Sequence, residues 1–307
     1  MKKKDCISVL DIESDLRSII DRAIALKTSW KSGSRDKPLV DKTLGMIFEK
    51  SSTRTRVSFE VGMTQLGGYA LNLVKSDIQL GRGETIADTA AVLSRYVDII
   101  MYRAYDHNMV LALAENATVP VINGLDNLEH PCQTIADLQT VFEHKGGFEG
   151  KKLVYIGDGN NVCNSLMLGA AIVSIDMVAC CPASHRPDEN LLLKAQEIAD
   201  KNNSTIEVIA DPQEAVRNAD VVYTDTWISM GDDAEADERR RIFTPYQVNP
   251  GIVKGARSDY IFMHCLPAHR GEEVSDEIMD GPNSVIFDQA ENRLHAQKAL
   301  ILHLLGH

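Results

Sequence analysis

A chain of 307 residues is longer than one domain usually grows, and an apolar fraction of 44% suffices for two modest hydrophobic cores. A formal net charge of −12 repels nucleic acid and anionic membrane alike, so an anionic ligand has to be held by local donors against the mean field. The basic N-terminus lacks an apolar segment behind it, no run approaches ~18 apolar residues, and Cys6, Cys132, Cys163, Cys180, Cys181 and Cys265 form no C-x-x-C pair; together these predict a soluble cytosolic protein with reduced thiols and no metal site.

From Ser14 to Trp30 the apolar residues Leu16, Ile19, Ile20, Ala23 and Leu26 follow the three-and-four spacing of an amphipathic helix. An alternation then sets in. A strand at Thr43 to Phe48 leads to a helix from Thr53 to Leu66, stopped by Gly67-Gly68, and to a strand at Tyr69 to Val74. Further strands at Asp98 to Tyr102 and Val119 to Ile122, with helices starting near Thr85 and His107, predict a four-stranded parallel sheet. A long helix from Pro131 to His144 ends at Gly146-Gly147, where a domain boundary is expected.

The second half repeats the pattern, with strands at Leu153 to Ile156, Met177 to Cys180, Ile206 to Ile209, Val221 to Thr224, Ile261 to His264 and Val285 to Phe287. A leucine-rich helix, Ala290 to Leu305, closes the chain. The fold class is therefore α/β, with two doubly wound parallel-sheet domains. The charged run Asp232 to Arg241 reads as a solvated loop or helix face, with a mobile lid as the alternative.

One string in the first half favours an anion. The strand ending at Phe48 runs into Glu49-Lys50-Ser51-Ser52-Thr53-Arg54-Thr55-Arg56, and a helix starts inside it with Ser52 as N-cap. The first turn of a helix leaves backbone N–H groups unpaired and carries partial positive charge, so phosphate oxygens can accept several bonds at once. Hydroxyls and two arginine forks add donors, at the strand end where open α/β sheets bind ligands. The glycines of a P-loop are missing.

Joined to His130-Pro131-Cys132-Gln133, to Asp225-Thr226-Trp227-Ile228-Ser229-Met230-Gly231 and to His264-Cys265-Leu266-Pro267, this string resembles the carbamoyltransferases, and within them those that act on ornithine. The four motifs stand in that family's order and span most of the chain. The resemblance implies a carbamoyl phosphate-binding domain over residues 1–146, an ornithine-binding domain over 147–288, and a C-terminal helix, 289–307, returning to the first domain. It implies trimers, so that an active site is shared between subunits.

Carried over residue by residue, the family pattern assigns Ser52, Thr53, Arg54 and Thr55 to the phosphate of carbamoyl phosphate. Arg103 would bridge phosphate and carbonyl oxygen, His130 would donate to that oxygen, and Gln133 would hold the carbamoyl amide. The backbone of Cys265 and Leu266 would accept from the same amide, and Arg293 would close the site. Gln79 resembles a residue that reaches into a neighbouring subunit's site. Asn161, Asp225, Ser229 and Met230 match positions that hold the α-amino and α-carboxylate groups of ornithine, with Cys265 near the δ-amine. A cis Leu266-Pro267 peptide is implied.

The chemistry so implied is attack of a neutral δ-amine on the carbamoyl carbon, with Arg103, His130 and Thr55 as an oxyanion hole and phosphate leaving. No cofactor is required, because carbamoyl phosphate is already activated, and closure of the second domain is expected to exclude water. Putrescine, a modified ornithine or aspartate are alternative acceptors, and Asp225 would be a poor neighbour for a second acceptor carboxylate. Two other classes remain: a nicotinamide oxidoreductase, suggested by Gly157-Asp158-Gly159, and a silent anion-binding scaffold. The dinucleotide fingerprint lacks its third glycine, whose place Val162 takes, and the next strand ends in Cys180-Cys181-Pro182, with no ribose-binding acid.

Overall fold

A computed structural model describes residues 3–228 and 236–307. The chain divides into two compact units, Met1–Gln139 with Glu291–His307, and Thr140–Ala290. The first limit falls inside a helix, ahead of the glycine pair at 146–147. The side chains of that helix's last turn explain why: His144 meets Asp288 at 3.0 Å and Lys145 meets the Asp259 carboxylate at 3.1 Å, both partners lying in the second unit.

In the first unit the order is α1 (Leu16–Lys31), β1 (Thr43–Phe48), α2 (Thr53–Leu66), β2 (Tyr69–Val74), α3 (Ile86–Leu93), β3 (Ile99–Arg103), α4 (His107–Asn116), β4 (Val121–Leu125) and α5 (Pro131–Lys145). The strands form one parallel sheet in the order β2-β1-β3-β4. β3 is buried throughout and β1 nearly so, as unbroken apolar runs in a sheet covered on both faces require, whereas edge strand β2 leaves Tyr69, Leu71 and Val74 exposed. The pairing of β3 with β4 shifts register after Tyr102, so that Arg103 lies opposite Leu125 and Gly124 is the extra residue. A Cβ at Gly124 would lie 2.2 Å from the Met101 sulfur, so a larger residue would require Met101 to move, and the bulge re-aims the end of the strand at Arg103.

The second unit runs β5 (Lys152–Ile156), α6 (Asn161–Ile172), β6 (Asp176–Cys180), α7 (Glu189–Lys201), β7 (Ile206–Ile209), α8 (Pro212–Ala215), β8 (Val221–Thr224), α9 (Ala236–Phe243), α10 (Pro250–Val253), β9 (Ile261–His264), α11 (Asp276–Met279) and the first turn of α12 (Ile286–Leu304). Its parallel sheet has the order β7-β6-β5-β8-β9. The strand expected at Val285 to Phe287 is absent. Asn283 and Val285 bond to Phe262 of β9, giving an isolated bridge at Ser284, but α12 begins at Ile286 and Phe287 points outward, 74% exposed. The β-propensity of V-I-F yields there to the helix that follows.

From Glu291 onward α12 belongs with the first unit, where it crosses α2 at Gly62. A Cβ there would lie 3.3 Å from Lys298 Cγ, so glycine permits the close approach that lets Ser58 and Gln297 bond. Lys298 is fully buried at this crossing, donating to Gln65 Oε1 at 2.9 Å over the Trp30 ring, and burial lowers its pKa to about 8. A lysine depressed from its unfolded value binds fewer protons when folded, so its penalty is complete below about 8 and is relieved as pH rises towards 10.5. Lys298→Met is therefore expected to stabilise the protein by roughly 1 kcal/mol at neutral pH. In thermal denaturation across that window, the advantage should shrink as pH rises.

Candidate active site

The anion-favouring string has the expected local structure. Ser52 is extended and its hydroxyl accepts from the Thr55 N–H at 3.2 Å, while Gly67 closes α2 in the left-handed region at φ 90°. Thr55 faces inward and is buried, Arg54 is half-buried, and Arg56 turns outward to pair with Glu60 at 3.6 Å. Only the first of the two arginines therefore joins the site.

Two segments distant in sequence converge on the buried Thr55 hydroxyl, and a third joins through one of them. Arg103 Nη1, from the bulged end of β3, and Arg293 Nη2, from α12, both donate to Thr55 Oγ1 at 3.3 Å. Arg293 Nη1 donates to Gln133 Oε1 at 2.6 Å, and its Nε and Nη2 donate to Gln297 Oε1 at 3.1 and 2.9 Å. Gln133 in turn donates to Asp137 at 2.8 Å, which fixes which way its amide points. Its carbonyl oxygen is committed to Arg293.

His130 lies beside this cluster, with Nε2 3.5 Å from Arg293 Nη1. Burial, reinforced by the cations of Arg293, Arg103 and Arg54, holds its pKa well below the usual histidine range. The ring is thus a neutral imidazole with one N–H to donate. Its neighbour Cys132 is buried and pushed up to about 11, so it is a protonated thiol and no nucleophile. Gln79 is exposed in the turn Gln79–Arg82.

In the second unit a separate set assembles around Asp225, at the end of β8. The Cys265 thiol donates to Asp225 Oδ1 at 2.9 Å, and Asn160 Nδ2 donates to Asp225 Oδ2 at 2.9 Å. Asn160 also caps α6, accepting from Val162 and Cys163, and Asn161 begins that helix beside it. Leu266 occupies the left-handed region at φ 60°, with its N–H bonded to His264 Nδ1 at 2.8 Å, and the Leu266-Pro267 peptide is cis as implied. His264 Nε2 meets the buried Glu273 at 3.1 Å, so both ring nitrogens are engaged and none is offered to a cation. Ser229 and Met230 lie outside the described residues.

Several members of these sets have no motif to announce them. Gln297, Asp137 and Asn160 carry hydrogen bonds to the expected residues; the first two stand one helical turn, four residues, after Arg293 and Gln133, and Asn160 is a capping residue where a strand ends and a helix begins. The described part of the charged run is a helix with Asp237, Glu238, Arg240 and Arg241 exposed, as a solvated face requires, and Arg239 is the exception. Arg239 is buried, pairs with Asp158 and donates to the Trp227 carbonyl at 2.6 Å, while Arg240 stays outside with Glu272.

The same region disposes of the dinucleotide reading. A side chain at Gly159 would lie 2.2 Å from the Pro187 nitrogen, and the Gly159 N–H bonds to His185 O at 3.0 Å. The space a pyrophosphate would enter is filled by the chain itself.

Comparison with known proteins agrees with this arrangement. Residues 4–143 match the carbamoyl-P binding domain model of aspartate/ornithine carbamoyltransferase, and residues 149–304 match its Asp/Orn binding domain model. An ornithine carbamoyltransferase of Pyrococcus abyssi is 54% identical over 307 residues, 100% of this chain and 97% of that one. A catabolic ornithine carbamoyltransferase of Thermoplasma acidophilum is 53% identical over 100% of both chains. The solved structure of ornithine carbamoyltransferase from Pyrococcus furiosus superposes with a TM-score of 0.96 at 54% identity, covering 99% of this chain and 97% of that one. The chain belongs to the aspartate/ornithine carbamoyltransferase family.

Proposed function

We propose that this enzyme transfers the carbamoyl group of carbamoyl phosphate to the δ-amine of L-ornithine, giving citrulline and phosphate. The observation that carries the proposal is the convergence of Arg103 and Arg293 on Thr55 at the positive end of α2, with Gln133 bonded to Arg293 and a neutral His130 beside them. That end of a helix favours a phosphate, and the hydroxyls of Ser52, Thr53 and Thr55 with the Arg54 guanidinium would complete its shell. Arg103 would span phosphate and carbonyl oxygen. Charge grows on that oxygen as the amine attacks, and Arg103, Thr55 and the His130 N–H are donors suited to it.

Gln133 and Arg293 would orient the carbamoyl amide, with the backbone of Cys265 and Leu266 accepting from it. On the acceptor side, the Asp225 carboxyl group is suited to the ornithine α-ammonium, and Asn161, Ser229 and Met230 complete our assignment of the amino-acid end. The Cys265 thiol, held by Asp225, would lie near the δ-amine. The leaving phosphate can take the amine proton. The assembly we assign is a homotrimer in which Gln79 serves a neighbour's site; its exposure and the apolar edge formed by Tyr69, Leu71 and Val74 support this. Free cysteines throughout fit a reducing cytosol, and no helix among the described residues is long and apolar enough to cross a membrane.

The test is a colorimetric ureido assay with carbamoyl phosphate and a panel of ornithine, aspartate and putrescine. Citrulline from ornithine is the expected product. Product from aspartate or putrescine alone would overturn the acceptor assignment and leave the donor assignment standing.

A further inference from the structure

The carboxylate of Glu49 stands one turn ahead of the proposed phosphate clamp, where a negative charge would be expected to weaken the binding of a dianion. Its side chain is only 3% exposed. Oε1 accepts from Lys75 Nζ at 2.8 Å and from the Tyr102 hydroxyl at 2.9 Å, and Oε2 accepts from the Tyr105 N–H at 2.9 Å. The Glu49 N–H itself donates to the Arg103 carbonyl at 2.9 Å. One residue thus grips the chain at 102, 103 and 105, around Arg103 and at the register shift between β3 and β4. Through Lys75 it also ties in the turns that lead to Gln79.

Burial alone would raise the pKa of Glu49, but the Lys75 ammonium, the Tyr105 N–H and the Tyr102 hydroxyl together hold it below the usual carboxylate value. It is an anion whose charge is spent on donors of the same unit. From these contacts we infer that Glu49 is a positioning residue for carbamoyl phosphate: it aims Arg103 at the phosphate and carbonyl oxygens by holding the Arg103 carbonyl, the Tyr105 N–H and the Tyr102 hydroxyl, without touching the substrate. The inference rests on the proposed function and deepens it.

Glutamine is the discriminating substitution. It has nearly the same shape but only one acceptor oxygen, so at least one of three donors loses its partner and the charge that holds Lys75 is gone. Glu49→Gln should raise KM for carbamoyl phosphate and the Kd for inorganic phosphate, read by titration calorimetry, about tenfold or more. KM for ornithine should stay within about twofold, because the acceptor groups lie on other segments. A variant with lowered Tm but unchanged phosphate Kd and carbamoyl phosphate KM would overturn the inference, since a purely structural role predicts that pattern.

Should Glu49→Gln fail to fold, Tyr102→Phe decides, as it deletes one donor and leaves the rest. A smaller loss of phosphate affinity is expected, and none would be fatal to the idea. Wild-type protein that binds phosphate yet forms no citrulline would refute the proposed function alone, while calorimetry on the variants would still judge Glu49.

Discussion

Arg54→Ala is expected to lower kcat/KM for carbamoyl phosphate by about two to three orders of magnitude, to the edge of detection, while leaving the fold intact. The two halves of that expectation have separate grounds. Arg54 sits in the first turn of α2, where the unpaired N–H groups and the helix dipole already favour an anion, and its guanidinium adds a planar pair of charged donors to the same place. Its side chain makes no hydrogen bond or ion pair to another described residue and is half-buried, so truncation removes no internal contact of the kind that destabilises by more than about 0.5 kcal/mol. Circular dichroism and Tm should match the wild type while turnover collapses. Near-normal rates would move the phosphate away from this helix.

Arg293→Met should behave differently, losing stability and activity together. Arg293 is 3% exposed, and its guanidinium satisfies the oxygens of Gln133, Gln297 and Thr55 at once. Methionine fills the volume but strands these neutral acceptors, and a buried acceptor left without its donor typically costs about 1–3 kcal/mol. Arg293→Lys should not restore function, since a single ammonium cannot replace a fork that serves three acceptors. Denaturant unfolding measures the first effect and the ureido assay the second.

A third readout is specific to the charge. Burial is the first cause of the lowered His130 pKa and the Arg293 cation the second, so removing the cation should raise that pKa while burial keeps it below 6.5. A histidine depressed in the folded state contributes stability that is present above its unfolded pKa and lost as pH falls through the window towards its folded value. In Arg293→Met that window should narrow from its acid side. Histidine NMR titration reports the shift, and an unchanged His130 pKa would mean that Arg293 does not act on it electrostatically.

Much of this architecture could be read without coordinates. The alternation of short apolar runs with three-and-four patterned segments predicts both parallel sheets, and Ser52 and Gly67 locate the helix start and its stop, while the motif strings supply most of the residues proposed for the site, because capping, periodicity and turn chemistry are local in the chain. Where a short segment's preference is overruled by what it packs against, sequence reading fails. Val285 to Phe287 has strand composition, but the one bridge to β9 is at the preceding Ser284 before α12 takes over, and Arg239 sits in a run of charges yet is buried on Asp158.

The supporting residues could be identified only in three dimensions. Glu49 meets Tyr102 and Tyr105, and Gln297 of α12 reaches Ser58 on α2. These partners come together because a parallel sheet aligns the ends of strands that the chain visits far apart, and because Gly62 lets a terminal helix approach closely. Hydrogen bonding of this kind depends on distances between atoms of remote segments, a quantity to which no local pattern of residue types is sensitive.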